Sequence, residues 1–307
     1  MGLKLEPAIK YVKPLKLFMY GPSFAGKTYS ALEIAAGTIM ETKKCTEQEA
    51  YKHIAVIDSE YGRASLHRKK GPFNHIIFKR PYHIDRLRTL FMELEAKKDI
   101  FVVVLDSFTH FWVKEGGILS QKHEVDKQGG NSYTNWQEFT DKFNQCIDDI
   151  LESDKHYIVT ARAIPDRVLE ANEKGKMVPK TYGLKPEMRA GIEYEFDIAF
   201  NIDKDTHELL LEKGIPGMDK VYPAATTDTG KMIYNILTED AVVPSRSIED
   251  YTNSIRSLAK QHNLVTFIQL KLSGRKLEDM SLEDLTQLED DIIKEIKANQ
   301  VKRNVKK

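Results

Sequence analysis

The sequence predicts an α/β protein: a mainly parallel sheet flanked by helices, followed by a small C-terminal helical region. Three observations lead to this fold class. Apolar segments of strand length alternate with segments of helical periodicity over the first 240 residues, as in proteins with parallel sheets. The segment FVVVL at 101–105 contains no polar residue, which is typical of a strand buried on both faces. Beyond residue 248, helical patterns dominate.

The predicted elements follow one another in a simple order. Strands are predicted at about 15–20, 53–58, 75–80, 100–105, 156–161 and 196–202. Helices are predicted near 27–40, 84–97 and 134–153. Short strands and turns at 207–212, 219–222 and 231–235 indicate a hairpin at the edge of the sheet.

Four regions make up the predicted domain organisation. They are an α/β domain at 1–240, a linker at 241–247, a helical region at 248–300 and a basic tail at 301–307. The helices of the third region are predicted at 248–262, 264–272 and 281–298. Ser281 and Asp284 have the spacing of a capping box at the start of the last helix.

A phosphate-binding loop follows the first predicted strand. The segment GPSFAGKT at 21–28 matches G-x-x-x-x-G-K-T, with a strand before it and a helical pattern after it, which is the context that this motif requires. Lys27 is expected to reach the β- and γ-phosphates of ATP, and the Thr28 hydroxyl to bind Mg²⁺. The predicted nucleotide-binding residues are Gly21, Pro22, Ser23, Phe24, Ala25, Gly26, Lys27, Thr28 and Tyr29.

Two acidic residues at predicted strand ends complete the candidate catalytic set with Lys27. Asp106 ends the apolar strand at 101–105, as the Walker B acid does, and is expected to join Thr28 at the Mg²⁺ site. The next residue is Ser107, whereas AAA+ ATPases usually place their catalytic acid there. Glu60, just past another strand, is therefore the candidate general base; the alternative is a solvated loop acid.

These motifs resemble those of RecA-type recombinases. IDSE at 57–60 is similar to their I-D-A-E, whose Glu is the catalytic base, and VLDS at 104–107 to their V-V-D-S. More closely, residues 15–235 resemble phage-encoded RecA-like P-loop ATPases found among replication and recombination genes. The resemblance implies a RecA-like P-loop NTPase fold. YIVTAR at 157–162 lacks the RecA sensor Gln, so Thr160 or Arg162 would have to replace it.

Three segments are candidate nucleic-acid surfaces. Residues 61–84 carry six basic side chains and no acid, interleaved with aromatic residues, a mixture that suits single strands. Residues 114–135 and 164–190 are predicted loops at the places of the two DNA-binding loops of RecA. Lys185 and Arg189 in the last segment are candidates for a residue that reaches a neighbouring subunit's γ-phosphate. Ordinary solvated surface remains the alternative for each segment.

Composition limits the classes of partner. The 307 residues include 46 basic and 46 acidic residues, so nucleic-acid binding would depend on local patches. The chain has no apolar run of 18 residues and begins without the apolar segment of a secretory signal, which favours a cytoplasmic protein, in the bacterial host if it is phage-encoded, with no membrane partner. No N-K-x-D motif for guanine is present.

The leading hypothesis is a RecA-like ATPase that acts in phage recombination or replication and is stimulated by single-stranded DNA. Its expected partners are ATP, Mg²⁺, single-stranded DNA, further copies of the chain, and a single-strand-binding or annealing protein. The alternative is a helicase-loader-like or partner-remodelling ATPase that acts on protein. A small-molecule phosphotransferase is disfavoured because the sequence has no recognisable acceptor or lid motif.

Overall fold

The computed structural model describes residues 10–129, 132–171, 177–241, 248–262, 264–272 and 274–305. The chain divides between residues 241 and 242 into two compact units. Except for Ala241, the predicted linker lies outside the described residues, as do residues 306–307 of the predicted tail. Residues 301–305 of that tail belong to the last helix.

The first unit is built on one sheet, of which nine strands lie in the described part of the chain. Six of them pair in parallel, and the other three pair antiparallel with their neighbours. Across the sheet the order is β3 (Asn74–Ile77), β2 (Ile54–Asp58), β4 (Val102–Asp106), β5 (His156–Ala171), β1 (Lys16–Gly21), β7 (Ile198–Ile202), β8 (Leu209–Lys213) and β9 (Val221–Tyr222), with β6 (Met177–Pro186) paired to β5.

Helices cover both faces of the sheet. Alternate residues of β4 belong to opposite apolar clusters, Val103 to one and Val104 to the other, as a doubly buried strand requires. The predicted α/β fold is therefore confirmed. The helices of the first unit are α1 (Lys27–Lys43), α2 (Glu47–Tyr51), α3 (Ile84–Glu95), α4 (Thr109–Val113), α5 (Ile118–Lys127), α6 (Ser132–Glu152) and α7 (Thr227–Thr238).

The strand order brings the predicted site residues to one edge. Strand β5 lies between β1, which leads into the phosphate-binding loop, and β4, which ends at Asp106. Strand β2 lies on the other side of β4, with Asp58 opposite Asp106. Because all four strands are parallel, their carboxyl ends meet at the same edge of the sheet.

Strand β5 continues beyond the sheet. It pairs in parallel with β1 as far as Arg162, and from Ala163 onward it pairs antiparallel with β6. We call residues 163–171 and 177–186 the ribbon. The prediction of a loop at 164–190 was wrong here; residues 172–176 lie outside the described residues. Apart from Ala163, which packs against the core, and the buried Pro186, the described residues of the ribbon are exposed or half-buried, so its sequence lacks the alternation that identifies a half-buried strand.

Two further predictions were wrong for local reasons. The predicted polar loop at 114–135 contains α5 and the start of α6; α5 buries only Ile118 among its residues, so its composition resembles that of a loop. The predicted strand at 231–235 lies inside α7, where the side chains of Thr226 and Thr229 form a reciprocal capping box. Such a box satisfies two backbone donors and favours a helix start.

Helices α1 and α7 touch through their backbones. A Cβ at Gly37 would lie 1.9 Å from the carbonyl oxygen of Thr227, and a Cβ at Gly230 would lie 2.3 Å from that of Ile34. Both glycines are therefore required for this close approach. Since α1 begins at Lys27, this contact fixes the helix that carries the phosphate-binding loop.

The second unit is helical, as its pattern predicts. Helices α8 (Ile248–His262), α9 (Val265–Leu272) and α10 (Leu282–Val305) enclose a small apolar cluster. The Ser281 hydroxyl accepts a hydrogen bond of 3.2 Å from the backbone N–H of Asp284. Throughout the described part of the chain, no helix combines the length and the apolar character needed to cross a membrane.

Candidate nucleotide site

A pocket of about 310 Å³ opens at the carboxyl edge of the sheet. It combines the phosphate-binding loop with the ends of β2 and β4, so the structure brings the three predicted catalytic residues together. Its lining consists of Ser23, Phe24, Gly26, Lys27, Thr28, Tyr29, Glu60, Arg63, Leu66, His67 and Asp106. We call it the nucleotide pocket.

The side chain of Lys27 folds back and hydrogen-bonds to the backbone of the phosphate-binding loop. Lys27 Nζ donates hydrogen bonds to the carbonyl oxygens of Gly21 at 3.0 Å and Pro22 at 2.8 Å. Burial lowers the pKa of Lys27, although the nearby charge of Asp106 partly offsets this. Gly26 has a φ of 89° at the start of α1, a left-handed conformation that glycine adopts without strain. Phosphate oxygens could replace the two carbonyls as partners of Lys27.

Asp106 is held by two threonines. Its Oδ2 accepts a hydrogen bond of 2.6 Å from the Thr28 hydroxyl, and its Oδ1 accepts one of 2.5 Å from Thr160. Burial raises the pKa of Asp106, and the two hydrogen bonds offset part of that rise. A carboxylate beside a hydroxyl is an oxygen donor set that suits Mg²⁺, so Thr28 and Asp106 fit the predicted metal site. Thr160 orients Asp106.

Glu60 faces the same pocket and is held by two arginines. Arg162 Nε donates to Glu60 Oε1 at 2.9 Å, and Arg63 Nη1 lies 3.3 Å from Oε2. Burial alone would raise the pKa of Glu60, but the hydrogen bond and charge of Arg162, with smaller contributions from His110 and Lys27, hold it below its usual range. The side chain is only 14% exposed, which does not fit a solvated loop acid.

The loop that carries Glu60 is organised by Asp58, a residue without an assigned role in the sequence-based prediction. The buried carboxylate of Asp58 accepts backbone N–H bonds from Glu60 at 2.7 Å, Gly62 at 3.3 Å and Ala64 at 2.8 Å. It also contacts His75 Nε2 at 2.9 Å. Because charge-assisted bonds are strong, Asp58 fixes the direction in which the loop leaves β2. An acid that ends a buried strand is the signal that could have identified it.

Buried polar contacts join the ends of β2 and β4. The Ser59 hydroxyl donates to the carbonyl oxygen of Ser107 at 2.8 Å and accepts from the Ser107 N–H at 3.0 Å. His110 Nδ1 lies 2.8 Å from the Ser59 carbonyl oxygen, and burial lowers the pKa of His110. The Glu60 loop and Asp106 therefore form one connected unit.

One wall of the nucleotide pocket is aromatic and apolar. The rings of Tyr29 and His67 meet edge to face with centroids 6.1 Å apart, and Leu66 also lines the pocket. Lys70 donates to the Tyr29 hydroxyl at 2.8 Å and pairs with Glu33, which holds the tyrosine in place. Aromatic and apolar side chains that line a pocket in this way suit contact with a nucleobase.

The sequence-based prediction included Tyr29 but missed Leu66 and His67, because these two residues match no motif. Leu66 and His67 lie in a 3-10 helix, Arg63–His67, directly after the Glu60 turn. Their position one short turn beyond the candidate base is the signal that could have found them.

The two residues predicted to act on a neighbouring subunit lie elsewhere. Lys185 pairs with Asp166 across the ribbon at 2.8 Å. Arg189 pairs with Glu195 at 2.9 Å and packs against the ring of Phe143. Neither lines the nucleotide pocket of its own chain, so a role across a subunit boundary stays a prediction.

Half of the basic residues in the predicted nucleic-acid surface at 61–84 have partners within the chain. Arg63 and Lys70 contact acids as described above, and Arg80 lies 3.3 Å from Glu115. Phe78 is buried in the core. This segment therefore offers less free positive charge than its composition predicts.

The fold and the pocket together define a P-loop nucleotide-binding protein. Residues 13–243 match the family described as "AAA domain". Because the match covers most of the chain, the protein belongs to this AAA-domain family.

No curated protein matches the chain. Among solved structures, the crystal structure of a KaiC-like protein from the hyperthermophilic archaeon Pyrococcus horikoshii is similar over 70% of this chain and 93% of that chain, with 13% identity and a TM-score of 0.37. The fold assignment rests on the strand order and the phosphate-binding loop, not on this similarity.

Proposed function

We propose that the protein hydrolyses Mg·ATP in the nucleotide pocket and that single-stranded DNA stimulates the hydrolysis. The observation that carries the proposal is the convergence of Lys27, Glu60 and Asp106 on one pocket beside the phosphate-binding loop. A cation for the phosphates, an acid for the metal and an acid for the water are the parts that phosphoryl transfer to water needs.

Each side chain has a distinct role in this proposal. Lys27 leaves its carbonyl partners for the β- and γ-phosphates, and the N-terminal end of α1 adds its dipole. Mg²⁺, when bound, neutralises charge on the phosphate oxygens. Glu60 orients the attacking water and accepts its proton. Thr160 keeps the Asp106 carboxylate directed toward Thr28.

Single-stranded DNA is the proposed stimulating ligand because the ribbon offers a mixed basic and aromatic surface. Lys180 lies 5.1 Å from the centre of the exposed Tyr182 ring, and exposed aromatic rings bind bases of any sequence by stacking. The sequence motifs that resemble those of phage replication and recombination proteins support the choice of this ligand, and on the same ground we propose an annealing or single-strand-binding protein as a partner.

The rim of the pocket supports assembly with further copies of the chain. Phe24 is 89% exposed and Leu66 is 72% exposed, although both line the nucleotide pocket. Large exposed apolar side chains around a pocket are typical of an interaction surface. A second copy that covers this rim could bring Lys185 or Arg189 to the γ-phosphate.

The decisive experiment measures ATP turnover of the full chain with and without single-stranded DNA. Stimulation severalfold or more supports the proposal, whereas turnover that DNA leaves unchanged contradicts its DNA part. The alternative, an ATPase that remodels a protein partner, is favoured by the exposed apolar side chains of the ribbon, such as Leu169 and Met177. It predicts turnover that responds to a protein partner only.

The Glu60→Gln variant tests the general base. The amide is nearly isosteric and leaves the phosphate contacts intact, so ATP should still bind while turnover falls by about 10²–10⁴. Normal turnover in this variant would show that Glu60 is not the base.

The Lys27→Ala variant tests the phosphate-binding loop and should behave differently. Loss of one preorganised electrostatic contact typically lowers the rate by about 10²–10³, and here ATP affinity should fall as well. Equilibrium binding of a fluorescent ATP analogue separates the two variants. Turnover within a few-fold of wild type would contradict the assignment of this loop.

A further inference from the structure

One strand contacts both candidate catalytic acids. Thr160 of β5 donates to Asp106, and Arg162, two residues further on, donates to Glu60. Residues two apart on a strand point to the same face, so both side chains reach the same side of the sheet. The next residue, Ala163, is the first to pair within the ribbon.

The contact with Arg162 restrains Glu60 as a base. The guanidinium lies 2.9 Å from a Glu60 oxygen, with both side chains largely shielded, at 28% and 14% exposure. A charge-assisted bond of this kind occupies a lone pair and favours the ionised carboxylate over its protonated form. A carboxylate held in this way accepts a proton from water less readily and cannot turn freely toward the γ-phosphate.

The backbone of Arg162 ties this contact to the ribbon. Its N–H donates to the Thr109 hydroxyl at 2.9 Å, and its carbonyl oxygen accepts the N–H of Glu187, just past the ribbon, at 2.8 Å. Arg162 is also the last residue of β5 in register with β1, opposite Gly21. A displacement of the ribbon therefore acts directly on the residue that holds Glu60.

The ribbon has the properties of an element that responds to a ligand. Its two strands pair with each other, and the register shifts between Asp166 and Arg167. Its base is attached to the first unit, because Ala163 packs against the core and the Tyr20 hydroxyl donates to the Leu184 carbonyl oxygen at 3.4 Å. Further out, Val168, Leu169 and Tyr182 are exposed. A two-stranded ribbon without a third strand is marginally stable by itself, so binding energy at its surface can change its position.

We propose that Arg162 is a positioning residue that restrains Glu60, and that a ligand bound to the ribbon withdraws Arg162 and so releases the base. The inference rests on the proposed ATPase activity and specifies how that activity is regulated. In this scheme, a ligand on the ribbon weakens the ion pair of Arg162 and Glu60. The freed Glu60 then acts in the pocket, and the rate of hydrolysis rises.

The test compares basal and DNA-stimulated turnover in four proteins: wild type, Arg162→Gln, Arg162→Lys and Arg88→Gln. Loss of a largely shielded ion pair should raise basal turnover about three- to tenfold in Arg162→Gln, and stimulation by DNA should fall toward onefold. Arg162→Lys keeps the charge without the planar fork, so its basal turnover should lie between those of wild type and Arg162→Gln. Arg88→Gln removes an arginine of α3 that is also ion-paired and similarly shielded but lies outside the pocket and the ribbon, so it should leave both basal and stimulated turnover unchanged.

Basal turnover of Arg162→Gln equal to or below that of wild type would overturn the proposal, because the arginine would then assist the reaction. Affinity for a labelled oligonucleotide should stay at the wild-type value, since the variant alters the response and not the ligand surface. If Arg162→Gln does not fold, Arg162→Lys decides: a rise of about twofold supports the restraint, and no rise contradicts it.

Failure of the proposed function gives a different pattern. A wild type without turnover contradicts the ATPase itself. A wild type whose turnover ignores DNA contradicts only the choice of ligand, because the basal rate of Arg162→Gln measures the restraint with no DNA present.

Discussion

The two halves of strand β5 are one continuous strand in opposite environments. Tyr157, Ile158 and Val159 of the first half are fully buried between β1 and β4. Val168 and Leu169 of the second half are exposed, although they belong to the same strand. The comparison shows that the neighbouring strands, and not the strand propensity of the segment, decide which half is buried and contributes to stability and which half is exposed to solvent.

Alanine substitutions in the two halves should give the largest difference. Ile158→Ala removes a fully buried side chain, and such changes cost about 2–5 kcal/mol of unfolding free energy. Leu169→Ala removes a side chain that is 62% exposed and should stay within about 0.5 kcal/mol. Denaturant-induced unfolding measures both. A large loss for Leu169→Ala would show that the ribbon is packed against something in solution.

The first half also contains a titrating group, His156. Its Nδ1 accepts the backbone N–H of Leu15 at 2.8 Å, and burial, with the charge of Lys16, lowers its pKa to about 4. The unfolded chain therefore binds the proton more tightly, and the stability of the neutral form is complete above about pH 6.5 and is lost as pH falls toward 4. The full linkage corresponds to about 3 kcal/mol; partial exposure of the ring reduces our expectation to about 2 kcal/mol.

The His156→Asn variant checks this pH dependence. Its amide oxygen can accept the Leu15 N–H and does not titrate, so the loss of unfolding free energy between pH 6.5 and 4 should shrink by about 2 kcal/mol. His123→Asn, at an exposed position of α5, serves as the matched control. Parallel pH profiles for wild type and His156→Asn would show that His156 is not responsible.

The smallest expected effect concerns the charge of β6, which pairs with the second half of β5 in the ribbon. Changing Lys180 and Lys185 to Gln should reduce the dependence of log K on log salt for single-stranded DNA by about 1.4, at about 0.7 per phosphate contact. Lys52 and Lys98, exposed at the opposite edge of the sheet, provide the control pair. An unchanged slope would place the DNA elsewhere. Lys174 and Lys176, also predicted to contact DNA, lie outside the described residues.

The sequence was sufficient where a local pattern determines the structure. The phosphate-binding loop and the strands β1, β2 and β4 could be predicted because each depends on a motif or an unbroken apolar run of about ten residues or fewer. Asp106 and Glu60 followed from their positions at strand ends. Since parallel strands present their carboxyl ends to one edge, the sequence also implied that the two acids lie close together.

The remaining features depend on contacts between distant segments. Glu60 and Arg162, which form an ion pair, are 102 positions apart. The periodicity of the sequence does not indicate a contact over such a distance. The strands of the ribbon were not predicted because most of their described residues are exposed, so burial imposes no alternation of apolar and polar residues on them. Helix α7 was mistaken for a strand because its helical identity depends on a capping box and on a glycine that fits against α1.

The contact between Gly37 and Gly230 also has a genetic consequence. A methyl group at either position would force apart two helices whose backbones already touch, and one of these helices begins at Lys27. Temperature-sensitive alleles should therefore arise in α7, some two hundred residues along the chain from the phosphate-binding loop. Because ligand bound to the native state stabilises it by mass action, high ATP concentrations should suppress such alleles.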